Sequence, residues 1–563
     1  MNTELKELSA ARETFASRFH DEGASAEKAR VLDSLPADLA MRHRSGDLHI
    51  HDLEAWNLVN NCSTPLAASV FHPAELCAHS DAGRIMELLE QVRGKICRVE
   101  HCQTGGIGFA NFDMDLGDAI DAADIPFSAA NVLVLEDALR NLFVFLSTQR
   151  LRYARENFYV TINIGFAKSA WGHAAAMGCL RAFSSMPLDY TRPNIVFKVK
   201  AGVNANPGDP NYDLYSLACD CTTRKMIPTY LLLDAEPNRA CDPCRIGIMG
   251  CRTRVYANRN GAEGSVGRGN IAAISLNLPR LAMKSKTSTD FFGGLAVLMD
   301  DAKRILLLRK GSLIKSEFVR DVLSAGVWAA ESVEDMLRQG TYSIGFIGLS
   351  ETVAILTGSA LQNSHETHAF ALQVIGEMRR RTDAYAAKTG LNFSLLASAG
   401  EGISGRFPVL DRECFPDWEE CWGKGYYTNS FHVPVDSGVG VFEKLSLEGP
   451  FHRYANGGSI SYVELREAPI GNAVCIEDIV RHAVKSGVSY LGVNYPLDIC
   501  RTCGHHGTFD DCPACGSQDI DRIRRVSGYL ENLSEFSVGK KFEESQRRAN
   551  FIRNESCGTC PER

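Results

Sequence analysis

Two cysteine pairs, Cys500-x-x-Cys503 and Cys512-x-x-Cys515 in "CRTCGHHGTFDDCPACG", constrain this chain more than any other stretch. Two such knuckles close together bring four thiolates to tetrahedral reach, the ligand set of a closed structural zinc site. Iron is the competing metal for the same cage. A closed site keeps no open coordination position, so this metal is expected to hold structure and not to catalyse. Shortly after it comes "DRIRRVSGYL", with Gly528 between Ser527 and Tyr529 in a β-prone run. Glycine weakens a strand and offers no side-chain chemistry. Either Gly528 marks an ordinary turn, or the chemistry occurs on its backbone. A radical on a glycine α-carbon is spread over the amide nitrogen on one side and the carbonyl on the other. It prefers a planar centre, which a β-carbon would resist.

A backbone radical needs a second group to reach a substrate. A cysteine thiol suits, because a thiyl radical abstracts a carbon-bound hydrogen and the thiol returns it. Cys251, in the glycine- and arginine-rich loop "GIMGCRTRVYANRNGAEGSVGRGN", is a candidate. A buried structural cysteine is its ordinary alternative.

The chain has 563 residues, 45% apolar and 23% charged, the balance of an ordinary globular protein. Its formal charge of −8 points to neither nucleic acid nor an anionic membrane. The first residues lack the order of a signal peptide, and no apolar run reaches about 18 residues, so a cytoplasmic protein is expected. Nineteen cysteines cannot all pair within the chain, and their CxxC clustering favours metal or redox chemistry in a reducing compartment.

Residues 131–154 and 291–310 carry apolar side chains at helical spacing. Segments 158–166, 194–203, 343–350, 392–399, 459–465 and 489–495 read as strands. Strands alternating with helices over almost the whole length argue for one α/β unit. The composition shifts after about residue 498, which marks a small appended module. The first 48 residues read as mostly helical and are too few for a separate domain.

The segments "HIHDLEAWNLVNNC", "KAGVNANPGDPNYDL", "GIMGCRTRV", "GRGNIAAISLNLPRLA", "YSIGFIGLSE", "EGISGRF", "YYTNSFHVPV", "ANGGSISYVEL", the double CxxC and "RRVSGYL…FSVGKKFEE" occur in this order from about residue 47 to 548. Together they resemble the anaerobic (class III) ribonucleotide reductases of the glycyl radical enzyme superfamily. The resemblance implies a ten-stranded α/β barrel of two five-stranded halves around a central finger loop. It implies a barrel over residues 1–498, a zinc module over 499–519, and a radical loop and tail over 520–563. Gly528 matches the radical glycine, Cys251 the thiyl cysteine, and Cys62 the cysteine of the first strand. Cys500, Cys503, Cys512 and Cys515 match the zinc ligands. A separate iron–sulfur, S-adenosylmethionine-dependent activase would generate the glycyl radical.

The substrate implied is a ribonucleotide, usually a triphosphate, reduced in a homodimer with deoxynucleotide effectors. Asn277 would bind ribose hydroxyls or cap a strand end. His49 and His51 would meet phosphate, order the radical loop, or be satisfied core histidines. "TNSF", with Thr428, Asn429 and Ser430, and "NGGS", with Gly457 and Gly458, suit phosphate by composition and are also ordinary turns.

Two departures bear on regulation and on the reductant. "HIHDL" begins at His49, so a complete amino-terminal ATP cone is expected to be missing. "SQDIDRIRRVSG" holds no methionine, so a dithiol protein such as thioredoxin or glutaredoxin is expected as reductant instead of formate. Cys97 and Cys102 are candidate thiol partners of Cys62, and the tail pair Cys557 and Cys560 is a candidate redox relay. Cys241 and Cys244 receive no role. A glycyl-radical lyase and a non-catalytic, zinc-stabilised nucleotide-binding protein are the alternatives.

Overall fold

The computed structural model describes residues 15–58, 61–151 and 156–551. Among them no helix is long and apolar enough to cross a membrane. Five parallel strands follow one another in chain order: Cys62–Thr64, Ile107–Phe109, Val160–Ile164, Asn194–Val199 and Thr229–Leu232. On one flank Arg268–Asn277 pairs antiparallel with Cys62–Thr64, then leads in parallel to Thr341–Ile347 and Asn392–Ala397. On the other, Tyr490–Asn494 pairs antiparallel with Thr229–Leu232 and parallel with Ser461–Glu464. Two groups of five strands therefore run in opposite directions along one path. The path's ends meet where Gly457 N donates to Leu395 O at 2.8 Å and Ala397 N to Gly458 O at 3.0 Å.

Most of these strands are buried along their whole length, including all of Val160–Ile164, Arg268–Asn277 and Thr341–Ile347. Helices cover one face, and a chain segment fills the other. That double burial explains apolar runs without clean alternation. The two helices expected from periodicity form as Ala129–Thr148 and Ser288–Lys315. Each begins at a hydroxyl cap, Ser128 and Thr287, which accepts a first-turn backbone N–H.

The segment joining Thr229–Leu232 to Arg268–Asn277 enters the interior. Ile246, Ile248, Met249 and Val255 are buried there. Asn163 clamps it, accepting from Ile248 N at 2.9 Å and donating to Ile248 O at 3.0 Å. Met249 N donates to Thr253 O at 2.9 Å, closing a tight tip with Cys251 at its centre.

Leu497–Cys500, His506–Gly507, Ile520–Val526 and Tyr529–Asn532 form a separate antiparallel sheet. This sheet crosses both boundaries drawn from the sequence. The metal knuckles and the Gly528 hairpin are two ends of one element.

Candidate active site

Gly528 lies directly on the tip of the interior loop. A β-carbon added to it would fall 2.5 Å from Cys251 O, 2.7 Å from Cys251 Cβ and 2.8 Å from Cys251 Cα. Its φ of +144° is also one that side chains with a β-carbon rarely adopt. Space and conformation both demand glycine at this contact. The hairpin is held from two sides. Arg252 Nη2 donates to Ser527 O at 2.9 Å while its Nη1 donates to Ser398 O at 3.1 Å. Arg525 Nη1 donates to Gly528 O at 2.8 Å. The Ser527 hydroxyl bonds the Glu401 carboxylate.

Cys251 opens onto a cavity of about 330 Å³ that Cys62, His49, His51, Asn61, Glu401, Arg406 and Tyr529 also line. A β-carbon on Gly250 would come within 2.9 Å of Cys62 Sγ, so glycine there lets the two cysteine-bearing segments approach. Burial first, and then the neighbouring Cys251 sulfur, push the Cys62 thiol up to about 12. Burial likewise raises Cys251 above its usual value. Both sulfurs are therefore protonated at neutral pH. That state suits transfer of a hydrogen atom from Cys251 and of a proton from Cys62. The Tyr529 hydroxyl lies 3.3 Å from Thr161 Oγ1, which donates to Gly250 O at 3.0 Å. The residue after Gly528 thus braces the loop that carries Cys251.

His49 and His51 both line the cavity, with ring centroids 4.8 Å apart. Burial holds His49 well below its usual range and lowers His51, so both are neutral. His51 Nε2 lies 2.8 Å from Ser275 Oγ, whereas the buried Nδ1 of His49 has no partner among the described residues.

Other sites expected from the sequence lie elsewhere. Asn277 does not reach the cavity; it caps the helix Leu278–Lys284, accepting from Arg280 N at 3.1 Å. Its amide donates to Gly46 O at 3.1 Å and Asp411 Oδ2 at 3.0 Å, which satisfies the group. Thr428 bonds Glu351 Oε1 through both its N–H and its hydroxyl, at 2.9 and 2.7 Å. Thr428 and Asn429 line a separate small cavity of about 30 Å³, and Ser430 is buried beside them in the chain. Gly457 O accepts from Arg254 N at 3.0 Å, and Gly458 bridges Thr253, so "NGGS" supports the interior loop. Cys97 and Cys102 do not line the cavity with Cys62. Cys557 and Cys560 lie outside the described residues.

The glycine-rich turn that does face the cavity is Gly400–Gly402, leading into the helix Ile403–Cys414. Arg406, in the first turn of that helix, also lines the cavity, and its Nη2 donates to His43 O at 2.7 Å. "EGISGRF" carried that signal, a glycine turn opening a helix, as did Glu401 within it.

At the far end of the C-terminal sheet, the sulfurs of Cys500, Cys503, Cys512 and Cys515 all lie within 4.8 Å of one another. Cys500 and Cys515 stand 3.6 Å apart, as do Cys503 and Cys512. A tetrahedral zinc with Zn–S bonds of about 2.3 Å requires sulfur–sulfur edges of about 3.8 Å, so the cage fits that ion. Against the cost of desolvation, the N–H groups of Cys503 and Thr502 draw Cys500 down to about 6.

A glycine backbone packed against one cysteine, with a second cysteine lining the same cavity, is the arrangement of a glycyl radical enzyme. A sequence model of the family described as anaerobic ribonucleoside-triphosphate reductase matches residues 9–550, and the chain belongs to that family. It is 28% identical over 583 residues to the Salmonella typhimurium protein of that name, covering 93% of this chain and 80% of the relative. To the protein of that name from Enterobacteria phage T4 it is 28% identical over 567 residues, covering 90% and 91%. Its fold matches the Thermotoga maritima anaerobic ribonucleotide reductase with glycerol in the active site. The TM-score is 0.72 at 16% identity, over 96% of this chain and 90% of that one.

Proposed function

We propose that this chain is an oxygen-sensitive oxidoreductase that reduces ribonucleoside triphosphates to 2′-deoxyribonucleotides by glycyl and thiyl radical chemistry. The observation that carries the reading is the contact of Gly528 with Cys251 at a cavity shared with Cys62. The Gly528 radical takes the hydrogen atom of the Cys251 thiol. The Cys251 thiyl then removes the 3′-hydrogen of the ribose. Glu401, the carboxylate beside Cys251, accepts the 3′-hydroxyl proton as general base. Cys62 protonates the departing 2′-hydroxyl, which leaves as water. After a net two-electron reduction, Cys251 returns the hydrogen atom to C3′ and the radical returns to Gly528.

The triphosphate meets the Gly400–Gly402 turn, the helix start and Arg406, with His49 and His51 as neutral hydrogen-bonding walls. Cys500, Cys503, Cys512 and Cys515 would hold zinc, which supplies a rigid cross-link and no reactive position. Two electrons come from a dithiol protein of the thioredoxin or glutaredoxin kind, with Cys557 and Cys560 as relay. A separate radical S-adenosylmethionine activase installs the radical. A cytoplasmic homodimer responding to deoxynucleotides completes the reading. Nucleotide effectors accord with the Thermotoga maritima reductase solved in complex with dATP and CTP. The match to the reductase family argues against the lyase alternative.

The test is anaerobic incubation with activase and S-adenosylmethionine, followed by electron paramagnetic resonance and by assay of deoxynucleotide. A doublet that requires Gly528, with product that requires Cys251 and Cys62, is expected. A doublet without deoxynucleotide would favour a lyase, and no doublet at all a non-catalytic protein.

A further inference from the structure

The two peptide planes that flank the Gly528 α-carbon each end in a carbonyl held by a buried guanidinium. Arg252 donates to Ser527 O at 2.9 Å and Arg525 to Gly528 O at 2.8 Å. The two arginines are only 1% and 4% exposed. Arg525 is the one that reaches the carbonyl of the glycine itself. Its Nε donates to Asn494 Oδ1 at 2.7 Å and its Nη2 to Met226 O, both neutral acceptors. No carboxylate forms an ion pair with it among the described residues. The Glu464 carboxylate lies near enough to favour the charge and accepts from the same Asn494, at 3.0 Å, without bonding the guanidinium directly. The guanidinium charge is thus shared among three acceptors, one of them Gly528 O, in a low-dielectric interior where a charge-assisted bond is strong.

That oxygen belongs to the radical. In a glycyl radical the spin on Cα is shared with the residue's own carbonyl, and an electron-poor carbonyl takes more of it. We propose that Arg525 is an electronic positioning residue: its charged hydrogen bond to Gly528 O stabilises the glycyl radical and so sets the hydrogen-atom equilibrium with Cys251. The equilibrium is balanced as written: Gly528 radical and Cys251 thiol on one side, Gly528 with its hydrogen and Cys251 thiyl on the other. Stabilising the left-hand side keeps the electron stored until substrate arrives. Weakening it raises the standing fraction of the more reactive thiyl. The geometry makes this possible at short range in sequence. Val526 pairs with Tyr529 across the hairpin, so the chain folds Arg525 back over the glycine that follows it.

This inference rests on the radical reading above, and its test separates the two. The activated wild-type protein is exchanged into D2O and measured by pulsed electron–nuclear double resonance at the Gly528 radical. An exchangeable deuteron coupled to the spin through the carbonyl is expected, and it is lost in Arg525→Gln. High-field spectra of Arg525→Gln should show a larger g anisotropy. The radical should decay at least tenfold faster under strict anaerobiosis, while zinc content and nucleotide binding stay unchanged. Arg525→Lys, which keeps charge but not the planar fork, should fall between the two. A wild-type doublet without a coupled exchangeable deuteron overturns the inference whatever the variants do. So does a folded Arg525→Gln protein with wild-type g values and radical lifetime. Absence of any doublet in the wild type overturns the radical reading itself.

Discussion

The C-terminal sheet holds two ends that solve the same problem in opposite ways. At the zinc end Cys503 and Cys515 are exposed, and a β-carbon on Gly504 or Gly516 would meet nothing within 4 Å. Only Cys500 and Cys512 are buried there, and the four clustered sulfurs could hold a metal ion that fixes the chain. At the hairpin end Ser527, Tyr529 and Arg525 are buried, and a β-carbon on Gly528 would strike Cys251. Packing and two guanidiniums fix that end. The comparison teaches that one end of the sheet depends on ligand geometry and the other on packing against Cys251.

The sharpest way to break the comparison is Gly528→Ala. The added methyl has no room at the Cys251 contact, so the doublet and all deoxynucleotide formation should vanish while zinc stays bound. Retained radical in this variant would place the spin elsewhere. Glu401→Gln should come next. It keeps the shape of the group that bonds Ser527 but removes the base, and turnover should fall by about 10²–10⁴-fold with the radical still formed. A rate within twofold of wild type would remove Glu401 from the chemistry.

Stripping the metal, or Cys500→Ser with Cys512→Ser, attacks the other end. The large core should stay folded by circular dichroism, because it shares no ligand with the knuckles. Radical yield and turnover should fall by about 10²-fold as the hairpin loses register by a fraction of its length. Full activity without zinc would show that the two ends are independent.

The smallest effect is on stability at high pH. The folded protein holds the Cys62 proton more tightly than the unfolded chain, with a value raised from 9.0 to about 12. The stability this contributes is complete below about pH 9 and is lost as pH rises towards about 12. Denaturation midpoints of wild type and Cys62→Ser measured across that window should converge as pH rises. A gap that stays constant would mean that Cys62 is not desolvated as described.

The features read correctly from the sequence were local ones. The cysteine knuckles are a matter of spacing, and their four sulfurs cluster as that spacing requires. The long helices announced themselves by periodicity. The strands at 158–166, 194–203 and 392–399 were legible from β-branched runs and are trimmed at their ends to Val160–Ile164, Asn194–Val199 and Asn392–Ala397. Arg268–Asn277 was not read as a strand, because Arg268, Asn270, Ser275 and Asn277 interrupt its apolar residues and burial on both faces erases alternation. Cys62–Thr64 and Ile107–Phe109 are too short to show a period at all.

In the site, Asn277 misled because an asparagine at a strand end before "LP" is equally a helix cap, and that is its place. "TNSF" and "NGGS" drew attention as glycine- or hydroxyl-rich turns, a signal shared by supports and ligand loops alike. Glu401 and Arg525 were within quoted motifs, yet their roles depend on contacts more than a hundred residues away or on a folded-back hairpin. Only tertiary structure supplies those.

The most direct test of the central claim is the distance from the spin to Cys251. The protein is prepared with cysteine deuterated at its β-carbon, activated anaerobically, and examined by pulsed electron–nuclear double resonance. Contact between Gly528 and Cys251 predicts resolved deuteron couplings at the glycyl radical that disappear in Cys251→Ser. A spectrum showing only distant, unresolved deuterons would contradict the account.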